Sequence, residues 1–321
     1  MRRTSCCLAI ILIALVVSFA SSTAAVSAQD VHSDRSSIGV VLVSGNDKPT
    51  GGREVFGGFN LMVAGISPES GLGLNLTVRS QILHEADLGN ARLLIISMPN
   101  ATTIPNSTVI KHFLDSGGSL FLLSDYYGGG LMNFSAALNS ILGKTSIVQV
   151  AFGSDAIFIS NSSPNWQTRV YRNNTLAVKV NSTMFEFSGN PHGHLLSPQT
   201  IIGGLTGVVT LSCSLNITSF IDPTFVARAS AQSDSGLPNW LLLIDDGTHR
   251  SALCGSASMF NDTYLSVEGN QALLRNLVLW LVQNFQMQPP NVFLYMALVS
   301  SAMIVIGAVV YRTYRKRASV A

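Results

Sequence analysis

The residues best suited to chemistry stand where apolar runs stop. Ser124, Asp125, Tyr126 and Tyr127 follow the run from Ser119 to Leu123 and lead into Gly128-Gly129-Gly130. A serine beside an acid at a strand end suits a nucleophile on a tight turn, and glycines before a helix suit backbone N–H groups aimed at a phosphate. Neither pattern is complete. Ser124-Asp125 lacks the G-x-S-x-G frame, and the chain has no G-x-x-x-x-G-K-[ST] and no G-x-G-x-x-G. The sequence therefore names no cofactor and no complete catalytic set. Ser124 to Tyr127, with Asp47 and Asn100 at two further strand ends, read as a crevice for a ligand or partner.

Other candidates reduce to structure. His192-Gly193-His194 would place two imidazoles on one face if extended, but no third metal ligand stands nearby, so a solvated turn after Pro191 is the simpler reading. Asp245-Asp246 is followed by Gly247 and reads as a hairpin turn rather than a carboxylate pair. Trp240 and Trp280 suit packing. Cys213 and Cys254 lie in strand-like runs, compatible with one disulfide or with two buried thiols.

The positions of charge and apolar length set the compartment. Met1-Arg2-Arg3, the apolar run Leu8 to Phe19 and the small residues Val26-Ser27-Ala28 have the order of a cleaved secretory signal, residues 1–28, before a polar linker at 29–36. Residues 292–311 are charge-free and long enough to cross a bilayer, and the tail 312–321 carries Arg312, Arg315, Lys316 and Arg317. The expected topology is type I, in a plasma or endoplasmic-reticulum-type membrane, with the N-terminal domain outside or luminal and the C-terminus cytoplasmic. Ser300, Ser301, Ala302, Gly307 and Ala308 would let another span approach closely.

Asparagine fits that export. Asn75, Asn100, Asn106, Asn133, Asn161, Asn173, Asn181, Asn216 and Asn261 each open an N-x-S/T triplet with no proline in the middle, and chance supplies part of this set. The net charge is only +2, and the basic clusters stand at the two ends while the other Lys and Arg residues are scattered, so no Lys/Arg stripe for nucleic acid is present.

The elements that must position these residues fall within 37–288. Ile38–Val43, Leu74–Val78, Arg92–Ser97 and Ser119–Leu123 read as strands, alternating with helices over Arg53–Ala64, Ile104–Ser116 and Met132–Leu142. That rhythm predicts a doubly wound α/β fold with a mainly parallel sheet. From about Thr145 shorter strands take over: residues 146–152, 156–160, 175–180, 207–213, 225–230, 240–245 and 251–256. A polar, β-rich insertion of hairpins and loops is expected at about 152–191. A last helix, Glu268–Phe285, carries Leu273, Leu274, Leu277, Leu281 and Phe285 at helical spacing.

The order IGVVLVSGND, RLLIISMPN, IKHFLDSGGSLFLLSDYYGGGLMNFSAALNSILG and GTHRSALCGSASMFNDTYLSVEGNQALLRNLVLWLVQNF resembles the non-catalytic 48-kDa-type subunit of eukaryotic oligosaccharyltransferase. It is also similar to membrane-anchored ectodomains of the class I glutamine amidotransferase-like superfamily, gliding-type transporter auxiliary proteins included. The resemblance implies a degenerate flavodoxin-like α/β domain without catalytic residues, because Ser124-Asp125 stands where an active relative places its nucleophilic cysteine. It implies a binding or assembly subunit in protein N-glycosylation, partnered by other membrane subunits such as a multi-span glycosyltransferase. An auxiliary subunit of a transporter or cell-envelope complex, and a surface sugar-binding protein or hydrolase, are the alternatives. The eukaryotic subunit carries a further β-rich domain before its span; here Phe285 leads almost directly to residues 292–311.

Overall fold

Continuous apolar strands need cover on both faces, and in this chain helices supply it. The computed structural model describes residues 38–44, 60–67, 72–79, 84–98, 106–126, 134–143, 145, 150–187, 198–217, 225–234, 236–267 and 269–283. The first half runs β1 (Gly39–Ser44), α1 (Asn60–Ile66), β2 (Asn75–Arg79), α2 (Glu85–Leu88), β3 (Ala91–Ser97), α3 (Ser107–Asp115), β4 (Ser119–Leu123) and α4 (Phe134–Leu142). The second half opens with β5 (Val150–Phe152), α5 (Trp166–Arg169), β6 (Val170–Tyr171), β7 (Asn174–Asn181), β8 (Phe185–Phe187) and α6 (Pro198–Ile202). It closes with β9 (Gly207–Thr210), β10 (Leu215–Ile217), β11 (Phe225–Ser230), β12 (Asn239–Asp245), β13 (Arg250–Cys254) and α7 (Asn270–Gln283).

Among the described residues, β2-β1-β3-β4-β13 form a parallel sheet in that order. β12 then pairs antiparallel with β13 and carries β10 and β11 on its far side; β5 and β8 extend these outward. The order matches the flavodoxin-like winding, in which the sheet reverses direction of growth between β1 and β3. Alternate side chains sort to opposite faces. Val40, Leu42, Leu93, Ile95, Phe121 and Leu123 pack with Met62 and Ile66 of α1 and with Leu273, Leu277 and Leu281 of α7. Val41, Val43, Leu94, Ile96, Leu120 and Leu122 pack with Val109, Ile110 and Phe113 of α3 and with Leu138 and Ile141 of α4. The fold is mixed α/β with a mostly parallel central sheet, as the alternation of runs predicts.

Local chemistry sets the element ends. Asn106 caps α3, its Oδ1 accepting from Thr108 N at 3.0 Å. Gly117, at φ 81°, closes the helix in the left-handed region, and Gly118 N donates to Phe113 O at 2.9 Å before β4 starts. A Cβ at Gly118 would run into the Phe113 ring. The last turn of α7 is held by two side chains: Ser119 Oγ donates to Leu281 O and Arg250 Nη1 to Trp280 O, each at 2.8 Å. Arg250 also donates from Nε to Asp245 Oδ2 at 3.0 Å and lies 5.2 Å over the Trp280 ring. This buried pair fixes α7 to the β12–β13 hairpin at the amino edge of the parallel strands.

Several expectations change. The helix expected over Arg53–Ala64 is described only from Asn60, and it runs on to Ile66. Residues 156–160 form no strand; Ile157 N and Ile159 N each donate one backbone bond, to Ser212 O and Thr175 O, so the segment bridges two partners instead of joining a ladder. The expected insertion at 152–191 is bound into the fold, because β7 pairs with β9 in a separate three-stranded sheet and β8 pairs with β11. Cys213 and Cys254 are both free, so the disulfide alternative gives way to two buried thiols. The chain divides into two units, Met1–Val282 and Gln283–Ala321, and of the second only Gln283 is described. The expected signal, linker, span and tail lie outside the described residues. Among those described, no helix is long and apolar enough to cross a membrane.

Candidate functional site

In an open α/β sheet the crevice lies beyond the carboxyl ends of the strands. The described ends are Arg79 of β2, Ser44, Ser97, Ser124-Asp125 after β4, and Gly255-Ser256 after β13. Asp47, Asn100 and Tyr127 lie outside the described residues, so the structure brings together only Ser124, Asp125 and Tyr126 of the expected crevice.

These three do not form an open site. Ser124 is fully buried: its N donates to Cys254 O at 2.9 Å, and its Oγ lies 3.3 Å from Ser135 Oγ of α4, which donates to Gly153 O. Asp125, only 3% exposed, turns inward. Its Oδ2 accepts from Ser258 N at 2.8 Å and from Ser258 Oγ, and its Oδ1 accepts from Tyr126 N at 2.8 Å. Ser258 opens a single 3-10 turn, Ser258–Phe260, so Asp125 ties the end of β4 to the turn that follows β13. Burial pushes the Asp125 carboxyl up to about 8, outweighing the lowering effect of the Ser258 and Tyr126 hydrogen bonds. Burial likewise pushes the Cys213 thiol up to about 12 and raises that of Cys254. Neither sulfur has the thiolate character of a nucleophile.

A Ser-His-acid set needs a histidine at this edge. The described histidines stand elsewhere. His84 precedes α2 and His112 Nδ1 meets Glu85 Oε1 at 2.6 Å, next to the amino ends of β3 and β4. His249 lies in the β12–β13 turn, with Nδ1 3.1 Å from Asp246 Oδ2; burial holds its pKa down. Asp246 Oδ1 accepts from Thr248 N and His249 N, each at 2.9 Å, and Gly247 has φ 86°, the hairpin turn that Asp245-Asp246-Gly247 foretold. His192 and His194 lie outside the described residues. Among those described, no group of three His, Cys, Asp or Glu side chains converges as a metal site.

Tyr126 has an outward role. It is half-buried and packs, with Tyr171 and Tyr264, over Ala177, Val209, Leu211 and Val267. Burial raises its pKa, and the charges of Asp125 and Tyr264 raise it further. Tyr171 and Tyr264 meet edge to face with centroids 6.2 Å apart, Arg172 lies 5.1 Å over the Tyr171 ring, and Asn174 Nδ2 donates to Tyr264 OH at 3.4 Å. Sequence reasoning missed Tyr171 and Tyr264, which carry no motif. It also missed Asn270, whose buried amide donates to Val209 O, Met259 O and Tyr264 O and accepts from Val209 N. Its position at the first turn of the closing helix was the available signal.

The acceptor asparagines divide by exposure. Asn75, Asn106, Asn161, Asn173, Asn181 and Asn216 are exposed, while Asn100 and Asn133 lie outside the described residues. Asn261 is corrected: it is 3% exposed, and its Oδ1 accepts from Thr263 N and Tyr264 N, which leaves no room for a sugar. Trp240 and Trp280 are core residues, Trp240 edge-on to Phe185 at 5.9 Å.

Comparison with solved structures bears on the fold. The chain is similar to the N-terminal domain of IFT52 (mmIFT52), at 17% identity and a TM-score of 0.52, over 75% of this chain and 97% of that one. It is also similar to a cytoplasmic protein, STM1381, from Salmonella typhimurium, at 10% identity and a TM-score of 0.49, over 76% and 99%. A third is a ThuA-like protein from Parabacteroides merdae, at 11% identity and a TM-score of 0.44, over 79% and 94%. Of the three, only the first bears on the fold, and at such identity it shows the fold alone. No family model and no curated protein matches the sequence. None of the three neighbours is an oligosaccharyltransferase subunit.

Proposed function

We propose that this chain is a non-catalytic binding or assembly module, anchored in a membrane by residues 292–311. One observation carries the reading: the strand end that would hold a nucleophile in an active amidotransferase relative is sealed, with Ser124 and Asp125 used as internal fasteners. A catalytic serine needs access to substrate and a base to take its proton. Here it has buried hydroxyls and a carboxyl that holds its own proton at neutral pH. The finer reading, a subunit of an oligosaccharyltransferase-like complex, rests on the sequence order quoted above.

The test is recovery of the tagged full chain from detergent-solubilised native membranes, with identification of what comes with it. Stoichiometric recovery of a multi-span glycosyltransferase supports the finer reading. Recovery of a transporter or envelope complex instead overturns that reading and leaves the assembly role. A chain that returns alone overturns both.

A further inference from the structure

Tyr171, Arg172, Asn173, Asn174 and Thr175 are consecutive, and the last three form an acceptor triplet for N-linked sugar. Arg172 and Asn173 have φ of 49° and 58°, and Tyr171 pairs with Asn174 across them, so Asn173 sits on a two-residue hairpin turn of the kind that needs left-handed backbone at both positions. Asn173 is exposed. Of the other exposed acceptors, Asn106 and Asn181 already accept from Thr108 N and Thr183 N, Asn75 and Asn216 lie within strands, and Asn161 stands on a turn outside the tyrosine cluster. Only two residues before Asn173 stands Tyr171, part of the half-buried cluster with Tyr264 and Tyr126.

A pyranose has one apolar face of C–H groups and a rim of hydroxyls. Tyrosine offers a ring for the first and a phenol for the second. We propose that Asn173 carries an N-linked oligosaccharide whose first N-acetylated pyranose rests on the Tyr171–Tyr264 pair beside Tyr126, displacing the exposed Arg172 guanidinium from over the Tyr171 ring. The donor is a lipid-linked oligosaccharide diphosphate. The bond from sugar C1 to the phosphate oxygen breaks, C1 bonds to Asn173 Nδ2, one amide proton leaves, and the lipid diphosphate departs with the electron pair. The sugar would cover an aromatic surface that the hairpin otherwise leaves half open. This inference rests on the export reading, so its test reads export separately.

The full chain is expressed in cells with a glycosylating secretory route, and peptide mass spectrometry reads occupancy at every exposed acceptor. Asn173 is expected to be occupied, and Thr175→Ala to empty it without touching the others. Thr175→Ala should lower Tm by about 2–4 °C, the shift of a modest local contact in a domain of this size. In a Tyr171→Leu background, which keeps the apolar packing and removes the ring, that shift should vanish. It should also be absent in protein made in non-glycosylating bacteria. Occupied Asn75 or Asn161 with bare Asn173 overturns the inference while leaving export intact. An equal Tm shift in both backgrounds overturns the contact with the tyrosines, and no occupancy at any acceptor overturns both the inference and the export reading.

Discussion

Asp125 shows how a residue read as part of a ligand or partner crevice can be built into the fold instead. Its type and place at a strand end were legible in the sequence. Its partner was not, because Ser258 lies 133 positions away and carries no motif. The same holds for Ser124 and Ser135, which meet only after α4 has folded back across the sheet. The buried carboxyl has a pH signature. Its pKa is raised, so between about 4 and about 8 the unfolded chain is ionised while the folded chain keeps its proton. The folded state binds more protons there, and stability must fall as pH rises through that window and level off above it. Chemical denaturation of the chain in detergent at a series of pH values should show this slope, and Asp125→Asn should flatten it. The thiols give a second test. Cys213 and Cys254 should resist alkylation in the native protein and react in denaturant, with no intramolecular bridge on a non-reducing gel.

At the scale of elements, the sequence was clearest where a strand is buried on both faces. β1, β3, β4 and β12 hold short apolar runs, β-branched in β1 and β3, whose length sets them apart from helices. The closing helix was equally plain from its leucine spacing. Short edge elements such as β6, β8 and β10 were missed, since two or three residues with one buried face leave too little pattern. α2, a four-residue helix, was missed for the same reason. What fixes α7 was also hidden: Arg250 stands just before the strand expected at 251–256, yet it opens β13 and its buried guanidinium holds Asp245 and the carbonyl of Trp280. Arg250→Ala would leave Asp245 buried without its partner. The expected cost is about 3–5 kcal/mol of unfolding free energy, with a lower midpoint in urea denaturation. Hydrogen exchange should locate the loss in α7 and the β12–β13 hairpin.

Across the whole molecule, the two edges of the parallel sheet have different contents. The Arg250–Asp245 pair lies at the amino edge, next to the end of α7, with His249 in the adjoining β12–β13 turn. The carboxyl edge holds Ser124, Asp125 and, at its border, the tyrosine cluster. An enzyme of this architecture would open the carboxyl edge and line it with titrating groups. Among the described residues, hydrogen bonds close that edge where β4, α4 and the turn after β13 meet. The amphipathic pattern that announced the winding could not announce this closure, because side-chain contacts across the edge depend on how loops far apart in sequence meet. The account centres on Ser124 and Asp125 being fasteners rather than a reaction centre, with partners held by surfaces around them. The most direct test is Ser124→Ala in the full chain at its native level, scored by recovery of the associated membrane complex and by cell function. Full recovery with function retained is the expected result. A properly folded, fully assembled Ser124→Ala protein that has lost function would contradict the account.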